Sequence, residues 1–394
     1  MALDDTIRPG GSGSPGSASQ ASSASPAGTA PAADGARLPL GNGRLELADL
    51  GPIALEAGAT IPVTLAYRHD GPGPDAPQVL VIHALTGSAD AAGDWWAPLI
   101  GPGRALDTDR VGVLCANLLG GRYGSTGPTS PDPASGTPYG AGFPQPSARD
   151  QARVLWALAD RLAIDRFALV TGGSLGGMIT YEVGLERPDR VDHLLPIAAP
   201  AATGALAIAW NHIQLEIVER LGADGLAIAR QLAMTTYRSE ADFEARFGRA
   251  VQADGRFAVT SYLDHQGEKL VDRFDPDTYR VLVRIMDGHD IGRARGGIVE
   301  AFRRLAAEDL GMTGLGIEGD LLYGPAQVRT AVDEAAAAGV DATYRELMSI
   351  KGHDAFLTEW DQLDGIVGAA LADGLARQAR RGLHAVRGGR AGAA

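Results

Sequence analysis

The sequence contains almost no cysteine. Cys115 is the only one among 394 residues, which excludes an intramolecular disulfide framework. Cys115 lies in the apolar run 111–116 and is interpreted as a buried strand residue. Long apolar runs that could span a bilayer are missing, as is a signal-peptide pattern at the first residues. Positive charge is also scarce, since 35 basic against 48 acidic residues give a net charge of −13. This balance argues against a nucleic-acid or membrane-surface partner, and the cytoplasm is the expected location.

Composition separates the two ends of the chain from its middle. Hydrophobic residues make up 45% of the sequence, so a large core is expected. Residues 1–37 are almost entirely Gly, Ser, Ala and Pro, which predicts a disordered tail because such a segment buries too little apolar surface to offset its ordering entropy. Residues 377–394 carry five arginines among small residues and are predicted to be a loose tail.

The middle of the chain alternates between strand and helix patterns. Apolar runs predict buried strands at 78–83, 111–116, 167–171 and 191–198, with a helix at 149–162 between the second and third. This alternation predicts an α/β fold with a mostly parallel sheet covered by helices on both faces. The predicted domains are a core at 38–202, an all-helical lid inserted at 203–305, and the rest of the core at 306–376. Residues 45–47 and 61–67 are interpreted as antiparallel edge strands.

A Gly-x-Ser-x-Gly motif at 172–176 lies between a predicted strand and a predicted helix. In that context the motif predicts the nucleophile elbow of an α/β-hydrolase fold, with Ser174 as the nucleophile. The alternative is an ordinary glycine-rich turn with a capping serine. Glycine is needed at 172 and 176 because the turn is crowded. Ser174 would then lie at a helix N-terminus, where a developing negative charge is stabilised.

An activated serine needs a histidine base and an acid that orients it, and in this fold the chain order is serine, acid, histidine. His353 follows the last predicted strand and is the candidate base, whereas His289 lies inside the helical insertion and is interpreted as structural or as part of the lid–core junction. Asp320 follows the preceding strand and is the candidate acid. Glu318 and Asp309 are ranked below it.

Backbone amides must stabilise the oxyanion. Leu175, directly after the nucleophile, is one predicted donor. Leu85 is the other, in the loop after strand 78–83, with Thr86 as its near alternative. His83 precedes that loop and is expected to shape the turn, not to act as a base. The histidines are scattered and lack ligand spacing, so no metal site is expected.

Several longer segments are far more specific than the motif at Ser174. They are residues 83–88 (HALTGS), 99–108, 117–128 (NLLGGRYGSTGP), 261–267 (SYLDHQG), 289–293 (HDIGR) and 352–357 (GHDAFL). Through these segments, from about Leu45 to Ala370, the chain resembles the homoserine O-acetyltransferases, which are acyl-CoA-dependent transferases on the α/β-hydrolase fold. The resemblance implies the same triad, Ser174, Asp320 and His353.

The resemblance also implies an amino-acid site. Arg230 matches the residue that binds the substrate carboxylate, a task that suits a planar guanidinium. Tyr237 matches a tyrosine of the substrate pocket, and Asp354 matches the acid that holds the ammonium group. From the residues alone, Arg230 is equally a solvated charge on an amphipathic helix. The family commonly has Met after the nucleophile, where this chain has Leu175, and that difference leaves the backbone donor intact.

The activity implied by the resemblance is transfer of an acetyl group from acetyl-CoA to L-homoserine by ping-pong kinetics, a step of methionine biosynthesis, with no bound cofactor. It also implies a homodimer formed through the lid helices. Serine in place of homoserine, and succinyl in place of acetyl groups, remain open. Two further alternatives are an esterase or thioesterase with the same triad, and a binding protein with a decayed triad, which the intact triad disfavours.

Overall fold

The structure is a computed structural model and describes residues 40–391, with side chains through Arg381. Its strands are β1 (Asn42–Ala54), β2 (Thr60–Asp70), β3 (Gln78–Ile82), β4 (Gly112–Ala116), β5 (Leu169–Gly173), β6 (His193–Ile197), β7 (Gly311–Ile317) and β8 (Asp341–Leu347). Its α-helices are α1 (Ala148–Arg161), α2 (Leu175–Glu186), α3 (Ala205–Tyr237), α4 (Glu240–Arg246), α5 (Ala258–Val271), α6 (Pro276–Asp287), α7 (Ile298–Ala307), α8 (Pro325–Ala337) and α9 (Trp360–Ala391). The predicted tail at residues 1–37 lies outside the described residues.

The eight strands form one sheet in the order β1-β2-β4-β3-β5-β6-β7-β8. The pairs β1–β2 and β2–β4 are antiparallel, and all pairs from β4 to β8 are parallel. The predicted fold class, a mostly parallel sheet with antiparallel edge strands, is therefore confirmed. Every residue of the five strands from β3 to β7 is buried, which explains their continuous apolar runs.

Two apolar layers cover the two faces of the sheet. In β3, Leu80 and Ile82 join the layer that also includes residues of α1 and α2, while Val79 and Val81 join the layer beneath α9. Successive side chains of a strand point to opposite faces, so one short strand contributes to both layers. This packing fixes the carboxyl ends of the parallel strands relative to one another, and the candidate site lies at those ends.

The chain between β6 and β7 is helical, as predicted. Helices α3 to α6 form what we call the helical layer, in which α3 packs against both α5 and α6. Helix α3 is interrupted at Gly222, whose φ is 60°. The next helix, α7, packs against the core helices α2 and α8. The division of the chain into domains at 203 and 305 stays a prediction from the sequence.

The C-terminal segment differs from its prediction as a loose tail from residue 377. Helix α9 continues to Ala391, and Arg377 is buried. Its guanidinium is ion-paired with Asp309 at 2.9 Å and also with Asp341, while Arg381 lies 3.1 Å from Asp192. Composition suggested solvated charges here, but these two arginines anchor the last helix at the amino ends of β6, β7 and β8. No helix among residues 40–391 is long and apolar enough to cross a membrane.

Candidate active site

Ser174 occupies the sharp turn between β5 and α2. Its φ of 58° and ψ of −123° are strained for a residue with a side chain, and its amide donates to the Ile197 carbonyl at 2.9 Å. A Cβ at Gly176 would lie 2.2 Å from the Ile82 carbonyl oxygen, so only glycine fits where the helix meets β3. The turn therefore holds the Ser174 hydroxyl at the N-terminus of α2, beyond the carboxyl end of the sheet.

His353 and Asp320 meet across the loops that follow β8 and β7. His353 Nδ1 donates to Asp320 Oδ2 at 2.7 Å. The other carboxylate oxygen, Oδ1, accepts from the amides of Leu322 and Tyr323 at 2.8 and 2.9 Å. The carboxylate is thus held on both oxygens, and it fixes the histidine tautomer with Nε2 available as a base.

The other candidate acids are not brought to the histidine. Glu318 is exposed to solvent, and Asp309 is exposed and paired with Arg377. His289 is buried away from this cluster, where its Nε2 donates to the Pro200 carbonyl at 2.9 Å. Only Asp320 therefore joins His353.

The surroundings of His353 shift its pKa and limit the rotation of its ring. Burial lowers its pKa, but the charge and hydrogen bond of Asp320 together with the charge of Asp354 raise it by more, so that the pKa lies above its ordinary value of 6.5. Its Nε2 is buried and has no hydrogen-bond partner among the described residues. The rings of Tyr237, Tyr323 and Phe356 surround the imidazole, with centroid distances of 5.5 to 5.7 Å. These contacts limit rotation of the ring and leave Nε2 available.

A small cavity of about 40 Å³ joins the candidate residues. Its walls are Ala84, Leu85, Thr86, Ser174, Arg230, Tyr237, His353, Asp354, Phe356 and Leu357. Ser174 and His353 share this cavity with all three residues that the family resemblance assigned to amino-acid binding. Leu85 and Thr86 border it as well, and Leu175 is the first residue of α2, where helix amides have no intrahelical acceptor.

The cavity carries opposite charges on different elements. Arg230, on α3, is 6% exposed, and its Cζ lies 5.4 Å from the centre of the Tyr237 ring. Burial raises the pKa of the Tyr237 hydroxyl, which therefore stays protonated. Asp354 borders the cavity beside His353, and its Oδ2 lies 3.3 Å from Arg238 Nε. A zwitterionic ligand would find a cation and an anion in the same small space.

Sequence reasoning did not identify two arginines at this site. Arg238 directly follows Tyr237 and contacts Asp354, and Arg273 donates through Nη1 to the Thr86 carbonyl at 2.7 Å. Neither belongs to a local motif with chemical meaning, because both reach the site through contacts between distant segments. The position of Arg238 next to Tyr237 was the one available signal.

A second, larger cavity of about 600 Å³ lies beside the first. The two share Thr86, and Arg273 and Tyr123 line the larger one. Among the described residues, no group of three or more His, Cys, Asp or Glu side chains is arranged to hold a metal ion. The chemistry available in the small cavity is that of a serine, an imidazole and backbone amides.

The sheet, the strained serine turn and the acid–histidine pair define an α/β-hydrolase-fold protein. A family model described as "alpha/beta hydrolase fold" matches residues 77–279. The homoserine O-acetyltransferase of Moorella thermoacetica is 41% identical over 347 residues, which cover 79% of this chain and 91% of that protein. The chain therefore belongs to the homoserine O-acetyltransferase family of this fold.

Solved structures show the same fold at lower sequence identity. The crystal structure of a homoserine O-acetyltransferase from Bacillus anthracis has a TM-score of 0.77 at 22% identity, over 83% of this chain and 97% of that one. Esterase E22 also has a TM-score of 0.77, at 21% identity, over 83% of this chain and 99% of that one. Fold similarity alone therefore does not separate a transferase from an esterase.

Proposed function

We propose that this protein transfers an acetyl group from acetyl-CoA to the γ-hydroxyl of L-homoserine, through an acyl-enzyme on Ser174. The observation that carries this proposal is the shared cavity, in which a serine and its base lie beside Arg230 and Asp354. Membership of the homoserine O-acetyltransferase family supports the acyl donor and the acceptor, and with them a role in methionine biosynthesis.

The first half-reaction loads the enzyme. His353 Nε2 takes the proton of the Ser174 hydroxyl, whose oxygen attacks the thioester carbonyl and forms a C–O bond. The amides of Leu85 and Leu175 stabilise the negative oxygen of the tetrahedral intermediate. The intermediate collapses with cleavage of the C–S bond, and the departing sulfur takes the proton from His353. Asp320 stabilises the imidazolium that forms between these steps.

The second half-reaction transfers the acyl group. The γ-hydroxyl of homoserine gives its proton to His353 Nε2 and attacks the acyl carbonyl. Collapse of the second tetrahedral intermediate breaks the bond to Ser174, whose oxygen recovers the proton. Arg230 binds the carboxylate of the amino acid and Asp354 its ammonium group, while the Tyr237 ring packs beside both Arg230 and His353. These contacts place the hydroxyl in line with the acyl carbon.

Exclusion of water decides whether the acyl group reaches an amino acid. Ser174 and His353 are only 5% and 3% exposed in this small cavity, so little bulk water reaches the acyl group. Most of acetyl-CoA must then lie outside the small cavity. The cavity of about 600 Å³ borders the oxyanion loop at Thr86 and receives part of the donor in this proposal. No bound cofactor takes part.

An esterase or thioesterase is the second candidate, because esterase E22 has a similar fold. Its first half-reaction is identical, and water replaces the amino acid in the second. The charge of Arg230 at the cavity favours the transferase, since a neutral ester would leave this buried guanidinium without a counterion from the substrate, whereas Asp354 already has Arg238 beside it.

The test is to follow thiol release from acetyl-CoA with L-homoserine, with L-serine and without an acceptor. A large increase that depends on homoserine supports the proposal, and equal rates in all three would establish a hydrolase. Succinyl-CoA in the same assay tests the donor. Ser174→Ala should abolish both the acyl-enzyme, detected as added mass on the peptide containing residue 174, and the turnover.

The acceptor site has its own matched pair of variants. Arg230→Lys keeps the charge but loses the two-point contact with a carboxylate, so we expect KM for homoserine to rise at least about 10-fold. Thiol release without acceptor should stay unchanged. Arg303→Lys, at an exposed position on α7, is the control for the same substitution away from the cavity. An unchanged KM in Arg230→Lys would remove Arg230 from the amino-acid site.

We further propose a homodimer and a cytoplasmic location. Three apolar side chains of α3 are 47 to 60% exposed, and because all three precede the interruption at Gly222, their near-seven-residue spacing places them on one side of that helical segment. They are Leu206, Ile213 and Leu221, and Ile228, beyond the interruption, is also exposed. A second copy of the chain would cover this stripe. The cytoplasm is where a biosynthetic enzyme meets acetyl-CoA.

A further inference from the structure

The turn at Ala84–Gly87 presents two backbone amides to the catalytic cavity. The Gly87 amide donates to the Ala84 carbonyl at 2.9 Å, which closes the turn. Leu85 and Thr86 are its central residues, and both line the cavity. Within residues 40–391, neither of their amides donates to another group of the chain. The direction in which the Leu85 N–H points therefore depends on what holds the neighbouring carbonyls.

His83 holds the first of these carbonyls. Its Nδ1 lies 2.7 Å from the Ala84 carbonyl oxygen, and its Nε2 lies 3.2 Å from the amide nitrogen of Leu118. A carbonyl can only accept and an amide can only donate, so the proton must be on Nδ1. Burial lowers the pKa of His83 to about 4, and the ring stays neutral near pH 7. One tautomer therefore satisfies both ring nitrogens.

Arg273 holds the second carbonyl, from the helical layer. It lies in the short connection between α5 and α6, and its Nη1 donates to the Thr86 carbonyl at 2.7 Å. The same connection is attached to the core by Asp275, which is ion-paired with Arg122 at 2.7 Å. Contacts from the core and from the helical layer thus meet at one four-residue turn.

Planar peptides link these contacts to the cavity. In a trans peptide the C=O and the following N–H point in opposite directions. Arg273 fixes the Thr86 carbonyl and with it the Gly87 amide, which donates to the Ala84 carbonyl. His83 donates to that same carbonyl, and the opposite end of its peptide is the Leu85 N–H. His83 and Arg273 do not line the small cavity, but through these peptides they set the direction of the Leu85 amide, which does line it.

We propose that His83 and Arg273 are positioning residues that set the direction of the Leu85 amide, and that Arg273 makes this geometry depend on docking of the helical layer. The inference rests on the proposed function, because it takes the Leu85 amide as a donor to the oxyanion. Neither residue touches the reacting atoms. Their effect reaches the reaction through the orientation of one peptide.

Two substitutions of His83 separate its two hydrogen bonds. Asn places its amide nitrogen where Nδ1 lies and keeps the donor to Ala84. Gln reaches the Nε2 position and keeps an acceptor for Leu118, but loses the donor to Ala84. We expect His83→Gln to lower kcat about 10- to 100-fold, less than or comparable to the loss of an oxyanion donor, while His83→Asn stays within about 5-fold of the wild type. KM for homoserine should stay within about 2-fold in both.

A matched control addresses folding. His69 is a second buried histidine with two hydrogen bonds, to Gln78 at 2.8 Å and to the Gly41 amide at 2.9 Å. His69→Gln should lower the thermal midpoint and leave kcat unchanged. If His83→Gln and His83→Asn have equal kcat values, or if His69→Gln lowers kcat as much as His83→Gln, then His83 has no positioning role.

Arg273 needs a variant that separates its contact with the turn from docking of the helical layer. Arg273→Met removes the donor to Thr86, and we expect slower acyl-enzyme formation and slower transfer, each by at least about 10-fold. Arg122→Gln weakens docking of the same connection without touching the turn and should lower either rate by less than about 3-fold. Equal losses in these two variants would show that docking alone matters.

A boronic acid provides a readout that a purely structural role would not change. Methaneboronic acid adds to a reactive serine and forms a tetrahedral anion, so its inhibition constant reports on the oxyanion site. Methaneboronic acid should inhibit His83→Gln and Arg273→Met less strongly, and its inhibition constant should rise in proportion to the loss of kcat. If the wild type releases CoA without any dependence on homoserine, the proposed transferase fails, while the variants still test His83 and Arg273 through thiol release and boronate inhibition. Unchanged boronate affinity would overturn the positioning role.

Discussion

At the level of single residues, the orientation of His353 depends on the hydrogen bonds that hold Asp320. Asp320 uses one oxygen for His353 and the other for two backbone amides. It cannot rotate away without losing three hydrogen bonds, so the imidazole keeps one tautomer. The carboxylate also opposes the effect of burial on the pKa of His353.

Asp320→Asn tests that electrostatic role. An amide can still contact Nδ1 but carries no charge, so we expect kcat to fall about 10³- to 10⁴-fold. His353 must be neutral to act as a base, and its raised pKa places the acid limb of the wild-type kcat/KM profile above pH 6.5. Without the Asp320 carboxylate, only the charge of Asp354 still opposes the effect of burial, so that pKa falls and the acid limb should move to lower pH. If the acid limb stays at the same pH in Asp320→Asn, it reports the titration of a group other than His353.

Cys115 gives a second prediction for a single residue. Burial raises the pKa of its thiol above the ordinary value, so little thiolate forms at neutral pH. We expect no reaction with a thiol reagent in the folded protein and one equivalent after unfolding. A fast reaction in the folded state would contradict the buried position. The result also determines whether a thiol-based assay of CoA release needs a protein correction.

Among the elements, helix α2 makes a buried contact in addition to placing Ser174 at its N-terminus. Glu182, near its end, forms a two-point pair with Arg295, whose Nη1 lies 3.0 Å from Glu182 Oε1, and Arg149 Nε lies 3.5 Å from Glu182 Oε2. Arg295 belongs to the segment that leads from the helical layer back to the core. The buried pair therefore connects this return segment to the helix that begins at Ser174.

Breaking this pair should be costly. Arg295→Met leaves Glu182 buried with only the longer contact to Arg149, and we expect a loss of about 3 kcal/mol of unfolding free energy. The double variant Glu182→Gln/Arg295→Met should be less destabilised than the single one, because no uncompensated charge remains. Denaturant unfolding measures both. Arg220→Met, at an exposed pair on α3, is the control and should leave the midpoint unchanged. A double variant as unstable as the sum of the singles would argue against this account.

At the scale of the whole molecule, the exposed stripe on α3 predicts how two copies associate. Single exposed apolar residues are common, but Leu206, Ile213 and Leu221 on one side of the same helical segment form an extended surface. The same helix carries Arg230 and ends at Tyr237, both of which line the cavity. A dimer formed here would hold the same helix, across its interruption at Gly222 from the residues proposed to bind the amino acid.

Ile213→Glu together with Leu221→Glu should therefore convert a dimer to a monomer in light scattering. Two charges at each copy's stripe would have to be buried without partners. We also expect a lower kcat/KM for homoserine in the monomer, because α3 loses support. Val299→Glu, at a 40% exposed position on α7, is the matched control and should remain dimeric. A wild type that is already monomeric would remove the proposal.

Much of this site could be read from local sequence. Strand, glycine turn and helix around Ser174 follow from short-range patterns, and the order of Asp320 and His353 follows from the fold. The residues proposed to bind the amino-acid substrate were harder to predict, since from the local sequence Arg230 looks like any other charged residue on a helix. Resemblance to a family, not periodicity, selected it, and the structure then placed it at the cavity.

The C-terminal helix and the oxyanion turn show why the rest could not be predicted. Composition marked Arg377 as solvated, yet two carboxylates from distant segments pair with it. No sequence pattern near Arg273 predicts its contact with Thr86, although its guanidinium donates to the Thr86 carbonyl. Such pairs depend on how helices and loops pack, and a local pattern contains no information about that packing.

By itself, the sequence determined the fold class and selected the serine, acid and histidine that are proposed to carry the chemistry. Backbone constraints and apolar alternation act over a few residues, and the carboxyl ends of parallel strands meet at one edge of any such sheet. Only the tertiary structure decided which arginines reach the cavity, which tautomer His83 adopts and which carbonyls the helical layer holds. These choices depend on contacts between segments far apart in the chain, where a shift of one ångström makes or breaks a hydrogen bond.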